Sequence, residues 1–257
     1  LNMFFGPVVN AARGIAVQAQ TAIGQFSNNF QTALNPQITK SYATGDREYM
    51  HSLIFRSAKF SFFLLLFLSL PILIETKAIL TLWLKIVPDH TVVFLRIMLC
   101  TTWVYAISNP LITAASATGK IKLYQSVVGG LLLLILPISY LCLRLGLPAY
   151  SVFIVHLGME ITAQFARLWM LRRMIRLSLR EYFTKVIWRI SKVTIIALAA
   201  PLAVAYWLPG EGIWNLLTIC LICAISTSMS VYWFGLTSGE KIYISSRISS
   251  IVSKFRK

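Results

Sequence analysis

The chain has 257 residues, 57% of them hydrophobic and 12% charged, with a mean hydropathy of +0.73. That composition excludes an ordinary soluble domain. The formal net charge of +16 falls between long apolar runs, which excludes nucleic acid as the partner and points to the basic inner loops of a membrane protein.

A helix needs about 20 mainly apolar residues to cross a bilayer, and the expected fold is an all-α polytopic transmembrane helical bundle of about seven spans. The opening LNMFFGP reads as the end of a preceding transmembrane helix, residues 1–6, stopped by Gly6 and Pro7. It carries no charged n-region or cleavable signal pattern, so the chain is expected to be a fragment whose earlier spans are missing.

Residues 8–35 form the first full span expected, although hydropathy alone misses it. On a helical wheel Asn10, Arg13, Val17, Gln20, Gly24, Ser27, Asn28, Gln31 and Asn35 fall within about 60° of the direction of Arg13. An unpaired amide or guanidinium in lipid costs several kcal/mol, so this face must meet water or protein. Two readings stay open: the wall of a water-filled cavity, or a helix–helix interface with hydrogen bonds across it.

Further spans are expected at 54–74, 91–118, 124–143, 151–171, 193–208 and 212–235. With 8–35 counted as a crossing, 19 of the 24 Lys and Arg residues fall on one side of the membrane. By the positive-inside rule that side is cytoplasmic, and so is the C-terminus. The organisation is then second-bundle helices over 7–175, a cytoplasmic basic connector over 176–192, two C-terminal transmembrane helices over 193–236 and a cytoplasmic basic tail over 237–257. The run RLWMLRRMIRLSLREYFTKVIWRISK also reads as a basic amphipathic helix resting on anionic lipid.

Three charged positions stand inside spans away from their cytoplasmic ends. Arg13 and Arg96 lie about one and a half turns from the non-cytoplasmic ends of their helices. Each either snorkels to that interface or points inward to hold an anionic group such as a pyrophosphate. Glu160 lies near the bilayer midplane and shares a face with His156 and Gln164, at i−4 and i+4. It is a proton or cation coupling site with His156, a counter-charge to an arginine, or a protonated acid hydrogen-bonded within the bundle.

Pro71, Pro110, Pro137 and Pro201 fall within spans and are expected to kink them. Cys100, Cys142, Cys220 and Cys223 are read as packing residues, and no metal site or cofactor is expected. No hydrolase, zinc-protease or nucleotide-binding motif is present and the outer loops are short, so the chain is not read as an enzyme. An integral-membrane glycan transferase would need a large outer loop with acid–base residues, and a seven-span receptor would need a ligand anchor.

The phrases FFGPVVNAARGIA, SNNFQTALNPQITKSYATGDREYMH, ATGKIKLYQ and IRLSLREYF resemble the second half of a bacterial polysaccharide flippase. The family is the lipopolysaccharide and O-antigen branch of the multidrug, oligosaccharidyl-lipid and polysaccharide exporters. The resemblance covers essentially the whole chain. It implies a two-bundle flippase fold of which this chain supplies the second half, in the bacterial inner membrane. It also implies transport of an undecaprenyl-pyrophosphate-linked oligosaccharide for surface polysaccharide synthesis. The implied partners are that lipid-linked substrate, membrane lipids and the missing N-terminal bundle, with the polymerase machinery left open. No site residue is carried over from the family. Asn10, Arg13, Gln20, Asn28, Gln31 and Arg96 are candidates for lining the cavity, and Glu160 with His156 for coupling, from position alone. A cation-coupled multidrug antiporter on the same fold is the alternative.

Overall fold

The structure is a computed structural model describing residues 1–207 and 212–242. Every regular element among the described residues is helical. Helix α1 runs from Asn2 to Ala43, but Gly6 inside it has φ 76° and ψ −174°. That left-handed residue breaks the backbone immediately before Pro7, which has no N–H to continue the ladder.

The turn from α1 into α2 (Arg47–Ile74) is written in TGD. Gly45 ends α1 at φ 77°, and the Asp46 carboxylate caps α2 by accepting the Tyr49 N–H at 3.0 Å. Helix α3 (Thr76–Leu84) follows, then α4 (Thr91–Ala117). The same Ala-Thr-Gly phrase closes α4, with Gly119 at φ 68°.

Helices α5 (Ile121–Leu133) and α6 (Ile135–Arg144) are one apolar span interrupted at Leu134. Pro137 lacks the N–H that would reach back to Leu133, so the ladder fails there. Pro71, Pro110 and Pro201 instead lie inside uninterrupted helices. Helix α7 spans Ser151–Met174. The stretch expected as a connector, 176–192, is helical from Leu179. A short α8 (Leu179–Tyr182) passes through a π-helical turn (Phe183–Ile187) into α9 (Trp188–Trp207). Helix α10 (Ile213–Ser230) ends in a second π-helical turn, Val231–Gly235. Leu208, the end of the expected span 193–208, and the tail from 243 onward lie outside the described residues.

Among the described residues, five helical segments are long and apolar enough to cross a membrane: Arg47–Ile74, Thr91–Ala117, Ile121–Arg144, Leu179–Trp207 and Ile213–Gly235. The expected count was seven. The two that fall short are α1 and α7, of 42 and 24 residues. They are long enough, but the amides of α1 and the charged groups of α7 lower their hydropathy.

Helix α4 is the centre of the bundle, packing on α1, α2 and α7, while α9 and α10 pair with each other and lie against α2. One apolar cluster joins α2, α4 and α7 to the C-terminal pair through residues such as Leu66, Leu70, Leu111 and Cys223. A second joins α1 and α4 through Ala12, Ala16, Phe94 and Leu99. The alanines let the two backbones approach closely.

Gly235 packs closely against Phe63 of α2. A Cβ there would lie 2.7 Å from Phe63 Cε2 and 3.4 Å from Val193 Cγ2. Phe63 is buried, so its ring must shift to make room. Gly235→Ala is expected to cost about 1–3 kcal/mol by overpacking. Gly158→Ala, where nothing lies within 4 Å, should leave stability level or slightly raised. Denaturation of both variants in detergent micelles checks the contrast.

Candidate functional site

A cavity of about 530 Å³ opens between α1, α4, α5 and α7. Its volume falls within the roughly 300–1,000 Å³ range of small-ligand sites. Helix α1 contributes Gln20, Thr21, Gly24 and Asn28. Helix α4 adds Thr101, Thr102 and Tyr105, α5 adds Tyr124 and Gln125, and α7 adds His156, Glu160 and Arg167.

The α7 wall carries a buried ion pair. Arg167 Nη1 donates to Glu160 Oε1 at 2.9 Å, and the two side chains are 2% and 6% exposed. Seven residues apart, they sit two turns from each other on one face. The pair continues into a polar chain across the bundle. Arg167 Nη1 also donates to Ser108 Oγ at 3.1 Å, and Ser108 Oγ lies 2.6 Å from Gln164 Oε1. Gln164 Nε2 donates to the Tyr182 hydroxyl at 3.2 Å, which donates to the Ile107 carbonyl at 3.1 Å.

Two donors on this wall are left over. Arg167 Nε and the Tyr124 hydroxyl are both buried without a hydrogen-bond partner. Tyr124 lies close to Arg167 but forms no hydrogen bond of good geometry with it. Unmade hydrogen bonds at buried polar atoms cost about 1–3 kcal/mol each, so these atoms favour a ligand or water that accepts from them. Among the described residues no group of three or more His, Cys, Asp or Glu side chains could hold a metal ion.

The amide stripe of α1 divides between its two expected uses. Gln20 Nε2 donates to Thr102 Oγ1 at 2.8 Å, and Thr113 Oγ1 donates to Asn35 Oδ1 at 3.0 Å. Gln31 is fully buried, donating to the Ala106 carbonyl at 2.6 Å and accepting from Asn109 Nδ2. These bonds stitch α1 to α4. Asn28 is exposed and faces the cavity, while Gln20 serves both roles. Gln31→Leu leaves the buried Ala106 carbonyl and the half-buried Asn109 amide unsatisfied. It is expected to cost about 1–3 kcal/mol for each orphaned group, read as a lowered denaturation midpoint in detergent.

Of the eight candidates, Gln20, Asn28, His156 and Glu160 meet around the cavity. Asn10 and Arg13 are exposed on α1 away from it. Arg96 lies elsewhere too: its Nε donates to Thr76 Oγ1 at 2.9 Å and its Nη2 to the Ile74 carbonyl at 3.2 Å. It therefore satisfies the carbonyl end of α2, where a cation also suits the helix dipole.

Arg167 and Tyr124 escape a reading of sequence alone. The i, i+7 spacing of Glu160 and Arg167 was the available signal, but Arg167 stands at the head of a basic run and counts as a loop charge. Fold and site together define a helical bundle with several potential membrane spans and a cavity lined by both polar and apolar groups. No family model matches this chain, and no curated protein or solved structure is significantly similar to it.

Proposed function

We propose that the chain is the second half of a flippase that moves an undecaprenyl-pyrophosphate-linked oligosaccharide across the bacterial inner membrane, for surface polysaccharide or lipopolysaccharide synthesis. The observation that carries this reading is the cavity wall where Arg167 Nε and Tyr124 OH stand buried and unsatisfied opposite the amides of α1. The amides of Gln20, Asn28 and Gln125 and the hydroxyls of Thr21, Thr101, Thr102 and Tyr105 can hydrogen-bond sugar hydroxyls, and the apolar lining, with Val128 and Leu132, can pack on the faces of sugar rings. A guanidinium edge accepts a phosphate or another oxygen-rich group.

The reading takes α1 and α7 as crossings, which places the C-terminus and most basic residues on the cytoplasmic side. The exposed polar face of α1, with Asn10, Arg13 and the Gln25–Asn29 pair, would then meet the other bundle or the water between the two. Rocking of the bundles about this site would expose it to either side in turn. The alternative, a cation-coupled multidrug antiporter, asks for a free acidic group. Glu160 is engaged by Arg167, which favours the flippase.

The test is complementation of a strain lacking its own polysaccharide flippase by the full-length protein. Restored surface polysaccharide is expected. No restoration at normal membrane abundance, together with efflux of a cationic dye, would transfer support to the antiporter.

A further inference from the structure

Away from the central cavity, two clefts share a wall at the junction of α2, the π-helical start of α9 and the turn after α10. One, of about 430 Å³, is polar and includes Arg56, Lys59, Lys185 and Arg189. The other, of about 800 Å³, is a groove lined chiefly by apolar groups, among them Phe60, Phe63, Leu64 and Phe67. Arg56 and Glu240 border both.

The charges of the polar cleft do not balance. Lys59 donates to both Glu240 oxygens, at 2.8 and 2.6 Å, and the Thr237 N–H also binds that carboxylate. Lys185 is paired with Glu181. Arg56 has no hydrogen bond or ion pair among the described residues, and Arg189 has only a 3.4 Å contact to the Gly235 carbonyl. Both arginines stand near enough to Lys59 to repel its charge. Two unmatched guanidinium groups thus face a single unpaired carboxylate, Glu48, and the apolar groove begins beside one of them.

We infer that this junction binds an anionic phospholipid, with its phosphate between Arg56 and Arg189 and an acyl chain along Phe60, Phe63, Leu64 and Phe67. Charge complementarity selects the head group, because the planar guanidinium fork matches phosphate oxygens. Continuity of the polar cleft with the groove selects a lipid over a free anion. The site lies at the basic end of the bundle, the end that the charge distribution assigns to the anionic cytoplasmic leaflet. A lipid held there braces the C-terminal pair against α2, beside the close contact of Gly235 with Phe63. None of this depends on what the central cavity carries.

Native mass spectrometry of the full-length protein in detergent tests the site, with dioleoyl phosphatidylglycerol, dioleoyl phosphatidylcholine and inorganic phosphate as probes. Phosphatidylglycerol should be retained about thirtyfold more tightly than phosphatidylcholine, as two basic groups at about 1 kcal/mol each would give. Arg56→Gln combined with Arg189→Gln should abolish the preference, and Arg56→Lys with Arg189→Lys should keep part of it. Equal retention of the two lipids by the wild-type protein would overturn the proposal without recourse to any variant. So would an undiminished preference in the double glutamine variant. Full displacement of the lipid by millimolar phosphate would also overturn it, by assigning the arginines to a free anion.

Discussion

Arg167→Met is expected to lower the unfolding free energy by about 3–5 kcal/mol, the cost of leaving one partner of a buried ion pair uncompensated. The loss lies in the upper range of single-residue effects because Glu160 is 4% exposed and, among the described residues, its only cation partner is Arg167. Ser108 Oγ would lose the Arg167 hydrogen bond as well. Glu160→Gln alone should cost at least as much, since it leaves the Arg167 guanidinium buried with only neutral acceptors and arginine, unlike a carboxylate, cannot become neutral. The double variant Glu160→Leu with Arg167→Met removes both charges and should recover most of the loss, because matched apolar replacements of buried pairs are often near neutral. Guanidinium denaturation in mixed micelles measures all three. Costs that simply add in the double variant would mean that the pair is not coupled.

Filling the cavity is expected to abolish function while leaving the fold intact. Thr21 and Asn28 line the cavity yet are exposed, so a larger side chain at either position has room to enter it without overpacking a core. Thr21→Trp and Asn28→Trp should reduce surface polysaccharide to background in the complementation assay, at unchanged membrane abundance. Leu136→Trp, at an exposed apolar position of α6 that does not line the cavity, should retain it. Equal activity of all three variants would mean that the substrate does not use this space.

The polar character of α1 is legible in the sequence because amides are rare where lipid must be faced, and Glu160 because a lone carboxylate deep in an apolar run is costly. The use of each group is not. Gln31 and Asn28 share one helical face, yet a small rotation about the α1 axis puts the first against α4 and the second at the cavity. Arg167 belongs by sequence to a basic run, and only the two-turn spacing on α7 draws it inward. The pair between Lys59 and Glu240 joins residues 181 positions apart, a distance at which no local pattern helps. The interruption at Leu134 has one local signal, Pro137. The span count stays a matter of environment, since α1 and α7 are long enough to cross but too polar to do so unaccompanied.

Helices α1 and α7 border the cavity, and cysteine accessibility shows whether water reaches it. In a full-length protein lacking Cys100, Cys142, Cys220 and Cys223, Asn28→Cys and Ala16→Cys would each be exposed to a membrane-impermeant maleimide, in cells and in inside-out vesicles. Asn28→Cys should label from at least one side, and the lipid-linked oligosaccharide should protect it. Ala16→Cys, at a fully buried position between α1 and α4, should stay unlabelled. An inert Asn28→Cys in both preparations would contradict the account and leave the amide face of α1 as packing alone.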